Sequence, residues 1–216
     1  MFSGIIEARS PLLSFKRSRD NSSIEILVER PSLFDDLKVG DSISINGTCL
    51  TIEEFSSSSM SFTLGLETLK VTNWEAIVNK FEADQECWLN LERSLRFGDR
   101  IHGHLVSGHV DSLGEVIESQ QVGENKVLRV SYVPELSPYI WKKGSITLQG
   151  VSLTVNEVDE AVLSVGLIPE TLRQTNLEFV KTGEKLNIEA DYLAKMFLKS
   201  YESQRQAIVS KRVPNA

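Results

Sequence analysis

The sequence predicts an all-β protein, two tandem six-stranded antiparallel Greek-key β-barrels followed by a C-terminal α-helix, and three observations lead there. First, the chain is written twice. Residues 42–73 return as residues 145–176 with every position displaced by 103, and 13 of the 32 aligned pairs are identical, where average composition gives about two by chance. The match extends outward, since Ser3, Gly4 and Glu7 answer Ser107, Gly108 and Asp111, and Leu89-Asn90-Leu91-Glu92 answers Leu186-Asn187-Ile188-Glu189. Second, apolar residues alternate with period two, as in Ile43/Ile45 and Phe62/Leu64/Leu66, then again in Ile146/Leu148 and Leu163/Val165/Leu167; that is the pattern of half-buried antiparallel strands. Third, after Asp191 the spacing changes to three, four and seven through Leu193, Met196, Phe197, Tyr201 and Ile208, which predicts an amphipathic helix.

Taken in order, the first copy is expected to form strands over 4–15, 24–29, 42–46, 48–55, 60–66 and 86–91. The second repeats them over 108–119, 126–132, 145–149, 151–158, 162–167 and 184–189. Pro31 and Pro134 each open a segment between the second and third strands, and Pro at a first helical position predicts one short helix there. With so few helices to cover sheet faces, each set of strands is best closed into a small barrel that removes its edges. Asn46-Gly47 and Gln149-Gly150 read as hairpin turns. The seam at 93–100 runs directly into the second copy without a long linker. The domains expected are therefore 1–97, 98–190 and a helix with its tail at 191–216. The helix would bury its stripe on its own barrels or against partner subunits, and residues 213–216 are expected to be unstructured.

Composition narrows the function. A formal charge of −7, from 30 acidic and 23 basic residues, argues against a nucleic-acid partner, which needs a basic surplus to release counterions. Two cysteines, Cys49 and Cys87, are too few for a disulfide framework, and a reducing compartment fits best. The stretch MFSGIIEARS has no basic head followed by an apolar run, and no 18-residue apolar segment occurs, so a cytoplasmic protein with no membrane partner is expected.

A duplicated barrel most simply binds two similar ligands, with shared positions binding and unshared positions dividing labour. Shared are Leu50-Thr51 with Leu153-Thr154, and Glu67-Thr68-Leu69 with Glu170-Thr171-Leu172. Each Glu lies just past an alternating strand, where carboxylate and hydroxyl either meet a polyhydroxylated ligand or satisfy the backbone of a strand-end turn. Unshared are Phe2 against Val106, Ile5 against His109, Cys49 against Ser152 and Gly40 against Lys143. Cys49 reads as a small buried residue or as a reactive thiol. His104 and His109, five apart, point to opposite faces of a straight strand, which disfavours a shared metal. Lys143 is by default a solvated turn lysine, and Ser42 a strand-start hydroxyl.

The stretches MFSGIIE, NGTCLT, ETL…TN, LERSLRFGDRIHGHLVSGHVD, GVSLTV and LIPETLRQTNL together resemble the alpha-type riboflavin synthase family, in order and in spacing, from residue 1 to about 191. The resemblance implies two lumazine-binding barrels and a C-terminal helix that holds a homotrimer. It also implies association with lumazine synthase, and dismutation of two molecules of 6,7-dimethyl-8-ribityllumazine into riboflavin and 5-amino-6-ribitylaminopyrimidinedione, with neither metal nor organic cofactor. One ligand would be met by Gly4, Ile5, Ile6, Cys49, Leu50, Thr51, Thr63, Leu64, Gly65, Leu66, Glu67 and Thr68. The other would be met by Gly108, His109, Val110, Lys143, Ser152, Leu153, Thr154, Gly166, Leu167, Ile168, Pro169, Glu170 and Thr171. The functionally sensitive positions correspond to Phe2, Ser42, Cys49, Asn90, His104, His109 and Lys143. Of these, Cys49, Ser42 or a water activated by His109 would add to or deprotonate a lumazine, His104 and Lys143 would move protons or bind the pyrimidinedione edge, and Phe2 would stack on a ring. The chain departs from the family at Thr63, where many members carry an Asp; Thr can hydrogen-bond but holds no charge. Two rivals are a lumazine-binding antenna without catalysis, which should lose the unshared reactive residues, and a flavin-binding electron carrier, for which no glycine-rich phosphate loop is present.

Overall fold

The structure, a computed structural model, describes residues 1–212 and side chains as far as residue 205; the expectations for 213–216 and for the Ile208 side chain lie outside the described residues. The first repeat comprises β1 (Ala8–Arg17), β2 (Ser23–Glu29), β3 (Ser42–Ile45), β4 (Thr48–Thr51), β5 (Glu54–Phe55), β6 (Ser59–Gly65), α1 (Leu66–Val71), α2 (Trp74–Glu82) and β7 (Trp88–Arg93). The second comprises β8 (Ser112–Val122), β9 (Asn125–Ser131), β10 (Ser145–Leu148), β11 (Val151–Asp159), β12 (Val162–Leu167), α3 (Pro169–Gln174) and β13 (Lys185–Ala190), followed by α4 (Tyr192–Arg212).

The second repeat closes as a six-stranded barrel in the order β10-β11-β12-β9-β8-β13, and the first has the same order with its fourth strand split, β4-β3-β7-β1-β2-β6-β5. The split has a local cause. The Ile52 N–H and carbonyl turn away from the sheet to bond Asp41 and Gly40 at 2.9 Å each, and Val155 does the same with Gly144 and Lys143 in the second repeat. There the strand survives as a bulge between Val155 and Glu157; in the first repeat it breaks into β4 and β5. Inward residues of the alternating strands fill one core per repeat. Ile24, Ile26, Ile43, Ile45, Phe62 and Leu64 sit in the first, and Leu128, Val130, Ile146, Leu148, Leu163 and Val165 in the second. Trp74 from α2 is fully buried and donates from Nε1 to Thr48 Oγ1 at 3.3 Å; side chains of this size contribute roughly 1.5–3 kcal/mol each on burial.

Three expectations are corrected. The predicted first strands begin four residues too early in each copy, because residues 4–6 and 108–110 leave their own sheets, which the chain rejoins through the bonds of Glu7 N–H to the Leu91 carbonyl at 2.9 Å and Asp111 N–H to the Ile188 carbonyl at 2.8 Å. The helix expected after Pro31 is only a turn, closed by Phe34 N–H to the Pro31 carbonyl at 3.0 Å, whereas Pro134–Tyr139 does form a 3-10 helix. Helices α1, α2 and α3 follow the fifth predicted strand of each copy, where the sequence reading had only a strand end.

A network of amides joins the barrels about a pseudo-twofold axis. Asn73 and Asn176 donate their backbone N–H to Asn187 Oδ1 and Asn90 Oδ1 at 2.8 and 2.7 Å. The side chains of Asn90 and Asn187 donate in turn to the Gln149 and Asn46 carbonyls, both at 2.9 Å. Asn46 and Gln149 take φ 50° and are followed by Gly47 and Gly150 at φ 81° and 80°, the twin left-handed conformations of a tight hairpin. The two hairpins meet back to back, since a Cβ on Gly47 would fall 2.8 Å from the Gly150 nitrogen. The Asn-Gly and Gln-Gly pairs are thus hairpin turns and also the joint between barrels.

Candidate functional site

What leaves each sheet ahead of its first strand is an arm that reaches the opposite barrel. Phe2 and Val106 pair antiparallel, with N–H to carbonyl distances of 2.8 and 3.0 Å. Beyond that bridge the Gly4 carbonyl accepts from the Ser152 N–H at 2.7 Å and the Gly108 carbonyl accepts from the Cys49 N–H at 2.8 Å. Both glycines need the left-handed region, at φ 74° and 79°. A Cβ on either would lie 2.7 Å from the Cβ of Ser152 or Cys49, so only glycine permits so close an approach. Ile6 packs in the core of the second barrel.

The candidate residues are therefore divided otherwise than expected. Gly4, Ile5 and Ile6 join Ser152, Leu153, Thr154, Gly166, Leu167, Ile168, Pro169, Glu170 and Thr171 on β11, β12 and α3. Gly108, His109 and Val110 join Cys49, Leu50, Thr51, Thr63, Leu64, Gly65, Leu66, Glu67 and Thr68 on β4, β6 and α1. Leu50, Leu64, Leu153 and Leu167 turn into the cores and present only backbone to the outer face. Cys49 is half-buried, Thr51, Thr63 and Glu67 are exposed, and apolar surface is exposed at Leu66 on this face and at Ile5 and Ile168 on the other. The Thr-Asn pair that ends each motif has a structural use, with Thr72 and Thr175 hydroxyls donating to the Thr68 and Thr171 carbonyls at 2.6 and 2.7 Å.

The two faces differ chemically. On the second, His104 bridges two hydroxyls, Nδ1 to Ser152 Oγ at 2.7 Å and Nε2 to Thr147 Oγ1 at 3.2 Å, and burial holds its pKa below the ordinary histidine value, which favours the neutral ring. On the first, Cys49 and Ser44 stand in place of Ser152 and Thr147, and the buried Ser44 Oγ has no protein partner. Thr63 donates to Glu53 Oε2 at 2.8 Å. A carboxylate thus stands against the Thr63 hydroxyl, whereas the second repeat has Asn156 and Gly166 at these positions. Glu53 and Thr147 were missed by sequence reasoning; the Glu53/Asn156 difference was its available signal. Glu170 is tied to Arg173 and Gln174 at the surface, and the Arg173 hydrogen bond lowers its pKa.

The remaining candidates lie apart from these faces or beneath them. Phe2 is fully buried, with its ring under Gly108. Asn90 is fully buried in the amide network. Lys143 is an exposed turn residue at φ 68° whose N–H donates to the Val155 carbonyl at 2.7 Å. His109 is exposed. Ser42 lies across from Thr51 and borders a polar cleft of about 1030 Å³ shared with Ile5, Glu92, Arg93 and His102. A second cleft, of about 730 Å³, opens along the amide joint beside Trp88 and Phe179. Cys49 and Ser152 line neither of these two clefts. No helix among the described residues is long and apolar enough to cross a membrane.

The lumazine binding domain model matches twice, over residues 3–94 and 107–191. The riboflavin synthase of Photobacterium leiognathi is 37% identical over 97% of this chain and 95% of its own length. Those of Bacillus subtilis and Escherichia coli are 31% and 36% identical, covering 98% and 88% of this chain and 96% and 87% of theirs. Among solved structures, LumP complexed with riboflavin superposes with a TM-score of 0.78 at 18% identity, and LumP complexed with 6,7-dimethyl-8-(1'-D-ribityl)lumazine with 0.76 at 17%, each over 88% of this chain and 99% of the other.

Proposed function

This chain belongs to the riboflavin synthase family, built on two lumazine-binding domains, and from that premise we propose how its two faces share the work. The reaction of the family is a dismutation in which one 6,7-dimethyl-8-ribityllumazine gives a four-carbon unit to another, leaving riboflavin and 5-amino-6-ribitylaminopyrimidinedione. The observation that carries the assignment is the chemical inequality of two otherwise matching faces on one chain, a thiol at Cys49 on one and the hydrogen-bonded Ser152–His104 pair on the other. Two identical substrates with opposite fates need two unlike sites, and holding both rings together converts a bimolecular encounter into a bound pair.

In this reading Cys49, Thr51, Thr63 and the Gly108 arm receive one lumazine, and Glu53 accepts hydrogen bonds from its polar groups through or beside Thr63. Ser152, Thr154 and the Gly4 arm receive the other. A neutral His104 accepts a proton from the methyl group of a lumazine or from Ser152, the role for which a ring held below its usual pKa is suited. His109, Ser42 and Lys143 border the faces and supply addition, activation of water or proton return. Phe2 and Asn90 act through Gly108 and the barrel joint rather than on a ring.

The domain division at 97 and 190 follows the two repeats. Faces flanked by exposed Ile5, Leu66 and Ile168 need a second surface to exclude water. A homotrimer held by α4, with the first face of one subunit against the second face of the next, supplies it. Association with lumazine synthase would deliver substrate, and the cytoplasm is the compartment that suits two free thiols. Mixing purified protein with 6,7-dimethyl-8-ribityllumazine and following products chromatographically tests the reading. One riboflavin per two lumazines consumed is expected; tight binding without riboflavin would instead make this a carrier.

A further inference from the structure

We propose that Glu92 and Glu189 are positioning residues wired crosswise, each rooted in one barrel and holding in place the arm that completes the ligand face of the other. The inference rests on the reading of the two faces as substrate sites. Glu92, on β7, accepts from Ser3 N–H at 2.7 Å, Ser3 Oγ at 2.9 Å and Gly4 N–H at 3.0 Å. Glu189, on β13, accepts from Ser107 N–H at 2.7 Å, Ser107 Oγ at 2.6 Å and Gly108 N–H at 2.9 Å. Both residues are almost completely buried, at 3% and 2% exposure.

Burying a carboxylate is costly unless its oxygens are saturated, and here all three donors come from the arm. The same three-bond clamp occurs twice, at positions related by the internal repeat. A carboxylate suits the task because it is an acceptor on both oxygens, matching two successive N–H groups and a hydroxyl; a carboxamide would turn an N–H against an N–H. From each clamp the path to the opposite barrel runs through that same glycine, at φ 74° and 79°. The Gly4 carbonyl is fixed against Ser152 on the second barrel, and the Gly108 carbonyl against Cys49 on the first. Slack in Glu189, a residue of the second barrel, is therefore felt at Cys49. Slack in Glu92, a residue of the first barrel, is felt at Ser152 and at His104, whose N–H donates to the Ser3 carbonyl at 3.2 Å.

Cys49 reports on one side of this wiring without any ligand, because Gly108 lies over it and the other cysteine, Cys87, is buried. Iodoacetamide alkylation of the full-length protein is compared for wild type, Glu189→Gln and Glu92→Gln. Ser107→Ala and Ser3→Ala serve as milder variants that keep the backbone N–H bonds to the carboxylate; Ser3→Ala removes the Ser3 Oγ bond, and Ser107→Ala removes the Ser107 Oγ bond together with the 3.3 Å bond that this oxygen accepts from the His109 N–H, so both remain informative where a glutamine variant fails to fold. Glu189→Gln and Ser107→Ala should speed Cys49 modification about tenfold, while Glu92→Gln and Ser3→Ala leave it within about twofold. Fluorescence titration with 6,7-dimethyl-8-ribityllumazine should then show one of two sites weakened in each variant. Equal acceleration by all four variants, or none by the Glu189 pair, overturns the wiring. If wild type binds no lumazine, the functional reading fails while the alkylation pattern still decides the wiring.

Discussion

A methyl group at position 108 would meet Cys49 Cβ at 2.7 Å and the Phe2 ring at 2.9 Å, on a backbone already at φ 79°. Gly108→Ala should therefore lower stability by about 1–3 kcal/mol and turnover by at least tenfold, measured by thermal melts and riboflavin formation. Wild-type values for both would mean that the arm does not sit on Cys49. Among the reactive candidates, Cys49→Ser, Ser42→Ala and His109→Ala are expected to reduce turnover with little change in melting temperature, and unchanged turnover in all three removes their assignment. At this scale the sequence was informative about residue types and silent about partners. Cys49 against Ser152 could be read from the repeat, and the departure at Thr63 only from the family resemblance. The Ser152–His104 bond and the Glu53 carboxylate beside Thr63 join residues 48 and 10 positions apart, and no periodicity reports such a contact.

Between elements, the barrel joint is made of amides whose bonds are mostly backbone to side chain. Asn90→Ala would leave the Asn176 N–H and the Gln149 carbonyl without their partners at the barrel joint, at a cost of roughly 2–5 kcal/mol, which denaturant unfolding would read; a loss under about 0.5 kcal/mol would show the joint to be incidental. Glu92 brings a pH dependence to the same region. Desolvation raises its pKa from the ordinary 4.5 to about 7, against the opposing pull of its bonds from Ser3 and Gly4. A folded-state value above the unfolded one means that the native protein holds the proton longer. The stability so contributed is full below about 4.5 and is lost as pH rises through about 7. The stability difference between wild type and Glu92→Gln should thus shrink across that window, by roughly 3 kcal/mol at most; a difference that grows with pH contradicts it. The strands of both barrels were legible because half-buried strands alternate. Helices α1 and α3 were not, since six residues after a strand end are too short to show a 3.6 period, and the arms at 4–6 and 108–110 continue the composition of the strands they precede.

For the whole molecule, the apolar stripe of α4 leaves Leu193, Met196, Phe197 and Tyr201 exposed at 40–68%, an extent that a second or third copy would cover. Phe197→Glu should convert a trimer to monomers in sedimentation and abolish turnover while leaving each chain folded; a monomeric wild type that turns over at full rate would refute the inter-subunit site. The duplication, read directly from the offset of 103, foretold two similar halves but not that they would exchange arms. That exchange carries an implication for ancestry. Half of this chain, made alone, has an arm with nowhere to dock except another half, so its natural form would be a symmetric homodimer with both pockets alike. Such a dimer could bind two lumazines but would have no chemical means of telling donor from acceptor. Fusion of the halves would then be the event that let the two pockets accept different mutations and acquire separate fates.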